Sequence, residues 1–233
     1  MARLKRLYMP GCSQHIIQRG NNKNACFYSD SDYKFYLHLL EGASRKYEVL
    51  IHAFVLMTNH VHLLVTPTSE FSVSRMMQSI GRSYVQYINH TYDRTGTLWE
   101  GRYKSTLVDS DHYFLIVSRY IELNPVRAKM ADHPAEYPWS SYQGNGLGKE
   151  VKLLTPHYLY KDLGETKSER AKNYNGLFED HVPERTLEEL REAINKGWVV
   201  GSNKFIKEVR SACGRAAQKR NRGGDRRSKF WDQ

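Results

Sequence analysis

Two short patterns in this chain carry residue types able to do chemistry. The first is His60-Val61-His62. In a strand, residues two apart point to the same face, about 6.8 Å apart at roughly 3.4 Å per residue. Two imidazoles so placed can grip one divalent ion, although the same spacing also arises incidentally. The second pattern is Tyr120 and Asn124, four apart and so one turn from each other on one helical face, with Tyr113 and Val117 on the same stripe. A phenol facing a metal-bound phosphate is a workable nucleophile, and an amide oxygen one turn along could complete the ion's coordination. Read alone, Tyr120 is an amphipathic rim residue and Asn124 a helix end before Pro125; it is the combination with the histidine pair that points to chemistry. A third group alternates cations and aromatics: Trp99, Arg102, Tyr103 and Lys104, with Arg82, Tyr84 and Arg94 as extensions. That mixture suits phosphate contact and base stacking along a single strand, or else gap-filling aromatics beside a solvated face.

The elements that must position these residues follow from periodicity. Alternation predicts strands over 13–19, 49–57, 60–66 and around 102–108. Apolar residues at Tyr33, Tyr36, Leu37, Leu40, Ala43 and Tyr47 predict a helix capped at Ser29 or Asp30, and Val73 to Ile88 predict a second. A third helix starts near Ser110 and stops at Asn124, ahead of Pro125. The order β-α-β-β-α-β plus a helix is the split βαβ, or ferredoxin-like, arrangement. The fold class is thus α+β: an antiparallel sheet with its helices on one face, and an added helix bearing Tyr120. Tyr137-Pro138-Trp139 reads as a wrap over the core, and short helices are expected over 187–194 and 203–213. The domains expected are 1–145 for the catalytic unit, 146–213 for an extension with short helices, and 214–233 for a flexible basic tail.

Composition narrows the partners. The 233 residues carry 35 Lys+Arg against 25 Asp+Glu, a net charge of +10, which implies a polyanionic partner. Ten Lys or Arg against three Asp or Glu fall between Asn203 and Gln233, so most of the excess sits at one end. There, Arg220, Arg222, Arg226 and Arg227 are candidate phosphate contacts, carrying no sequence information by themselves. No apolar run reaches the 18 or so residues of a spanning helix, and the basic N-terminus lacks the apolar stretch of a secretory signal. Cys12, Cys26 and Cys213 lie far apart without metal-finger spacing, which fits a reducing cytosol. Tyr outnumbers Phe 16 to 8.

Several ordered motifs together resemble the REP-associated tyrosine transposases, single-tyrosine members of the HUH endonuclease superfamily: NHVHLL at 59–64, LWEGRYKS at 98–105 and RYIELNPVRA at 119–128. HIIQRGNN at 15–22, VLMTNH at 55–60 and GRSYVQYIN at 81–89 fit the same pattern, which spans roughly 8–145. GWVVGSNKF at 197–205 resembles a segment that follows the catalytic domain in part of the family. The resemblance implies a Mg²⁺- or Mn²⁺-dependent endonuclease and strand transferase acting on single-stranded DNA. It makes His60 and His62 metal ligands and Tyr120 the nucleophile. Asn124 falls where many relatives carry Gln as third ligand, with one methylene less of reach. It further implies palindromic hairpins with a short single-stranded guide as partners, leaving Arg19, Asn21 and Asn22 as candidate guide or stem contacts or as plain turn residues. A monomer or homodimer, cytoplasmic and associated with the nucleoid, is expected. The competing readings are a hairpin-binding regulator that does not cut, an RNA-binding protein on the same fold, and a small-molecule metalloenzyme using His-x-His.

Overall fold

The computed structural model describes residues 6–179, 183–214 and 217. Four strands, β1 (Ser13–Arg19), β2 (Val49–Met57), β3 (His60–Pro67) and β4 (Lys104–Val108), form one sheet in the order β2-β3-β1-β4. Every neighbouring pair is antiparallel. Helix α1 (Asp30–Lys46) connects β1 to β2 across the position of β3, and α2 (Ser72–Thr91) connects β3 to β4 across β1. This is the predicted split βαβ arrangement. The strands begin and end close to the predicted positions because Gly20, Asn21 and Asn22 stop β1, and Thr58–Asn59 turn β2 into β3. At Gly20 a Cβ would lie 2.2 Å from the Asn24 carbonyl oxygen, so only glycine lets the chain fold back there.

One face of the sheet carries the main core. Ile16, Ile51, Phe54, Leu56, Val61, Leu63 and Val65 pack against Tyr36 and Leu40 of α1 and Met76, Ile80 and Tyr84 of α2. Strand β2 keeps this face apolar at both ends through a β-bulge between Ile51 and Ala53, with His52 as the additional residue. Before the bulge the odd positions face the core, and after it the even ones do.

The expectation that the helices share one face is met by α1 and α2 only. Helix α3 (Ser110–Glu122) lies across the other face and packs Phe114, Val117, Tyr120 and Ile121 on Ala53, Val55, Met57, Leu64 and Val108. That face is apolar enough to need a cover, so both sides of the sheet are dressed. Pro125 does end α3, but a further turn, α4 (Asn124–Arg127), follows at once because proline is accommodated in a first helical turn.

The chain beyond α4 holds α5 (Tyr142–Asn145), α6 (Tyr158–Lys161), α7 (Lys167–Gly176), α8 (Glu184–Lys196) and α9 (Asn203–Cys213). The first three are too short or too weakly patterned for periodicity to have found them. This stretch also covers both sheet edges. Along β2, the Leu56 amide donates to the Trp139 carbonyl, Ser141 to Phe54 and Thr155 to Ile51. Along β4, Val200 donates to Leu107 and Asp109 donates to Val200. Gly197, at φ +63°, ends α8 in the left-handed conformation and lets the chain turn into that second contact. Among the described residues no helix is long and apolar enough to cross a membrane.

Candidate active site and nucleic-acid groove

His60 and His62 face the α3 side of β3, alternating with Val61 and Leu63, which face the main core. Their ring centroids are 5.0 Å apart. Each ring has its Nδ1 engaged. The Asn59 amide nitrogen donates to the Lys23 carbonyl at 2.9 Å, which turns its Oδ1 toward His60 Nδ1 at 2.6 Å. That oxygen can only accept, so His60 carries its proton on Nδ1 and leaves Nε2 with a lone pair. His62 Nδ1 lies 2.8 Å from Nε2 of His15, a buried residue of β1 on the same face. The site has a divalent-ion donor set in kind: two imidazoles whose outer nitrogens are held, with neither Nε2 spent on another side chain. Burial and the nearby Arg19 push His60 down to about 4. Burial first, then His15, His60, Arg127 and Arg19, hold His62 well below its usual value. Both imidazoles are therefore in the neutral, ligating form at neutral pH.

Tyr120 reaches the same place from α3. Its ring meets those of His62 and His15 edge-on, with centroids 6.1 and 6.0 Å away, and the residue is 7% exposed. The fold thus brings the Tyr120 ring beside one of the two singled-out histidines, His62. Asn124 sits one turn on, where its amide nitrogen donates to the carbonyls of Tyr120 and Ile121 at 3.0 Å each. The nitrogen is spent on capping α3. Among the described residues no group of three His, Cys, Asp or Glu is placed to hold a metal ion, so an ion here would need ligands beyond the two imidazoles.

The proposed DNA contacts divide. Arg19, Arg102, Tyr103 and Lys104 line one cavity of about 490 Å³, together with Arg6, Glu100 and Lys196. Arg19 pairs in register with His60, so the cavity opens beside the histidines. Arg6 stacks on Tyr103, with Cζ 3.6 Å from the ring centroid, leaving one aromatic face covered by a cation. Asn21 and Asn22 are exposed in the turn after β1, where Asn22 adopts φ +51°. Trp99 is not on this surface: it is buried against Tyr84 and Tyr36, which corrects the expectation that its indole is open to a base. It belongs to the main core cluster between the sheet and α1–α2. Arg82 is exposed on α2, whose layer covers the opposite face from the histidines. Arg220, Arg222, Arg226 and Arg227 lie outside the described residues.

Three site residues escaped the sequence reading. His15 is a neighbour only through the β1–β3 pairing, although it opens the motif HIIQRGNN. Arg127, in RYIELNPVRA, places Cζ 4.2 Å from the Tyr120 ring centroid and donates to the Tyr120 carbonyl. Arg191 lies on α8, 71 positions from Tyr120 in the chain, and no local pattern announces it.

Comparison with known proteins bears on the family and the fold. The family model described as "Transposase IS200 like" matches residues 8–124, half of the chain. A solved REP-associated tyrosine transposase bound to a REP hairpin is similar in fold, with a TM-score of 0.54 at 17% identity over 67% of this chain and 93% of that one. A putative transposase from Deinococcus radiodurans aligns at 20% identity over 52% of this chain and 96% of that one, with a TM-score of 0.37. A search of curated proteins finds no match. A four-stranded sheet presenting two histidines to a tyrosine on the following helix, inside a stretch that the family model covers, leads to one conclusion: the chain belongs to the IS200-like transposases.

Proposed function

We propose that this transposase cuts and rejoins single-stranded DNA at hairpin-forming palindromic repeats, with Tyr120 as nucleophile and a 5′-phosphotyrosine link as the intermediate. The observation that carries the reading is the convergence of the Tyr120 ring, the His62 ring and the basic cavity on one side of the sheet. That the relative of similar fold was solved on a REP hairpin favours a hairpin here over other polyanions.

In this reading the cavity residues Arg19, Arg102 and Lys104 hold the strand's phosphates, and the exposed edge of Tyr103 packs on a base. His60, His62 and the Asn124 oxygen hold Mg²⁺ or Mn²⁺, which supplies charge stabilisation on the phosphate oxygens. The phenol oxygen forms its bond to phosphorus as the bond to the 3′-oxygen breaks. The phenolic proton is lost to solvent and the departing 3′-oxygen gains one, so the products are an O-phosphotyrosine and a free 3′-OH. Another 3′-OH can reverse the step and join strands without ATP, because the phosphodiester's energy is kept in the tyrosyl link. One tyrosine per chain would hold one end at a time, in a monomer or a homodimer. Residues 1–145 would be the catalytic unit, 146–213 its extension and 214–233 a basic tail adding sequence-independent affinity, in a protein working on nucleoid DNA in the cytoplasm.

The test uses hairpin oligonucleotides taken from palindromic repeats near the gene and denaturing gels. Label on the 3′ side of the cut should become covalently attached to the wild-type protein, while label on the 5′ side is released with a free 3′-OH. Tyr120→Phe should bind the hairpin and form no adduct, with Tyr103→Phe and Tyr113→Phe as reactive controls. If the wild type yields no adduct on any hairpin or its complement, the non-cutting regulator is the better reading.

A further inference from the structure

Two guanidinium groups converge on Tyr120, and a single exposed carboxylate, Glu184, serves both: it pairs directly with Arg191 and acts on Arg127 from further away. Arg127 is anchored by its bond to the Tyr120 carbonyl, and among the described residues it makes no ion pair. Burial lowers its pKa; Tyr120 and Glu184 raise it and Arg191 lowers it, so the two cations feel each other. Arg191 comes from the opposite direction. Leu187, Leu190, Ala193 and Ile194 bury one side of α8 in the same core cluster that holds Tyr120. This seats Arg191 against the phenol, with Glu184 as its partner at 2.7 Å.

Gathering like charges around a mostly covered phenol is unfavourable unless an anion enters between them. Glu184 does not settle the balance: its side chain is 65% exposed, so water screens much of its charge. Arg19 adds a further positive field at His60 and His62. The surplus is positive, it is carried by guanidiniums, and their planar forks match phosphate oxygens.

We infer that Arg127 and Arg191 form a two-armed clamp for the non-bridging oxygens of a single phosphodiester at the Tyr120 hydroxyl. Both arms lie beyond residues 8–124, the part that the family model covers, Arg127 three residues past its end and Arg191 on α8. Arg127 is the fixed arm. Arg191, 42% exposed at the side chain and aimed by Glu184, is the adjustable one. The clamp rests on Tyr120 being the nucleophile.

The test separates the two ideas. In full-length Tyr120→Phe protein, with Mg²⁺ throughout, the probe is a cleavable hairpin whose cut position has been mapped from the released 3′-OH fragment. One methylphosphonate at that position removes a single negative charge. It should weaken binding about tenfold, the worth of one charge-assisted contact. With Arg191→Ala added, the same replacement should cost less than about twofold, and Arg191→Lys should keep most of the loss. A methylphosphonate three nucleotides away should cost the same in all three proteins. Equal losses at the cut position with and without Arg191 overturn the clamp and leave the nucleophile standing. An adduct that survives Tyr120→Phe, or none with wild type, overturns both.

Discussion

The sheet with its first three helices and the chain beyond α4 were built on different principles. In the first region each element repeats an apolar position often enough to declare itself, and the core between sheet and α1–α2 follows from those repeats. The second region holds together by points of attachment. Its short helices are pinned to a carboxylate, Glu122, which lies two residues beyond Tyr120 and is fully buried. Ser141, the Asn145 amide nitrogen and the Tyr174 hydroxyl all donate to it. Only α8 and α9 have amphipathic stripes of their own. The lesson is that the later segment is as close to the chemistry as the family-matched one, yet advertises it far less.

The largest effects should come from the sheet side. His60→Ala or His62→Ala should abolish cleavage and leave hairpin binding within several-fold, since affinity comes mainly from phosphate and stacking contacts. Chelation should do the same and Mn²⁺ should reverse it. Undiminished cutting by the double variant in EDTA would remove the metal from the scheme. Because both imidazoles are already neutral near pH 6, Mn²⁺ affinity measured by calorimetry should change less than about twofold between roughly pH 6 and 8. A steep rise over that range would mean that protons still compete for these nitrogens.

Next in size is the attachment of α8. Leu190 is buried in the core cluster shared with Tyr120, so Leu190→Ala should lose about 2–5 kcal/mol of stability in urea unfolding. A loss under about 1 kcal/mol would mean that α8 is only loosely seated.

Glu122 tests the attachment point through pH. Burial raises its pKa from 4.5 to about 7 in the folded chain, against the hydrogen bonds that lower it. Below about 4.5 the carboxyl is protonated in both folded and unfolded chains and contributes no difference. As pH rises toward about 7 the unfolded chain ionises first, so folding is progressively disfavoured, by about 3 kcal/mol at the plateau. Glu122→Gln should therefore be more stable than wild type at pH 8, with the gap closing toward pH 4.5; the histidine titrations are common to both proteins and cancel. A gap independent of pH would show the carboxylate ionised in its pocket.

The smallest effect concerns the tail. Ala217 is buried and accepts from the Val199 amide, so truncation belongs after it. Deleting 219–233 should weaken binding to all single strands about equally. It should also flatten the salt dependence by about 0.7 per lost phosphate contact. An unchanged slope would leave the tail without a role in binding.

Much of the site was legible because its parts are local. A two-residue strand repeat and a four-residue helix repeat each place side chains on one face, and the motif order says which faces meet. What was not legible depends on long-range pairing. His15 reaches His62 only across the β1–β3 register, and Trp99 sits among cations in sequence while its ring is taken by Tyr36 and Tyr84. The helices over 142–176 gave no signal because polar contacts, rather than a buried stripe, hold them.

The bulge at His52 has a consequence for how the strand tolerates change in length. It splits β2 into two phases, so the portion that pairs with His60 and His62 is counted from the Thr58–Asn59 turn, and the portion nearest α1 is counted from the other side of the bulge. Ironing out the bulge with His52 retained would turn Val49 and Ile51 over while the pairs from Ala53–Leu64 to Met57–His60 kept their frame. Deleting His52 would instead leave Ile51–Val65 and Ala53–Leu64 as consecutive pairs of an ordinary ladder. The histidine end of the hairpin is in this sense punctuated: an insertion or deletion upstream is absorbed at residue 52 before it can rotate the imidazoles out of the site.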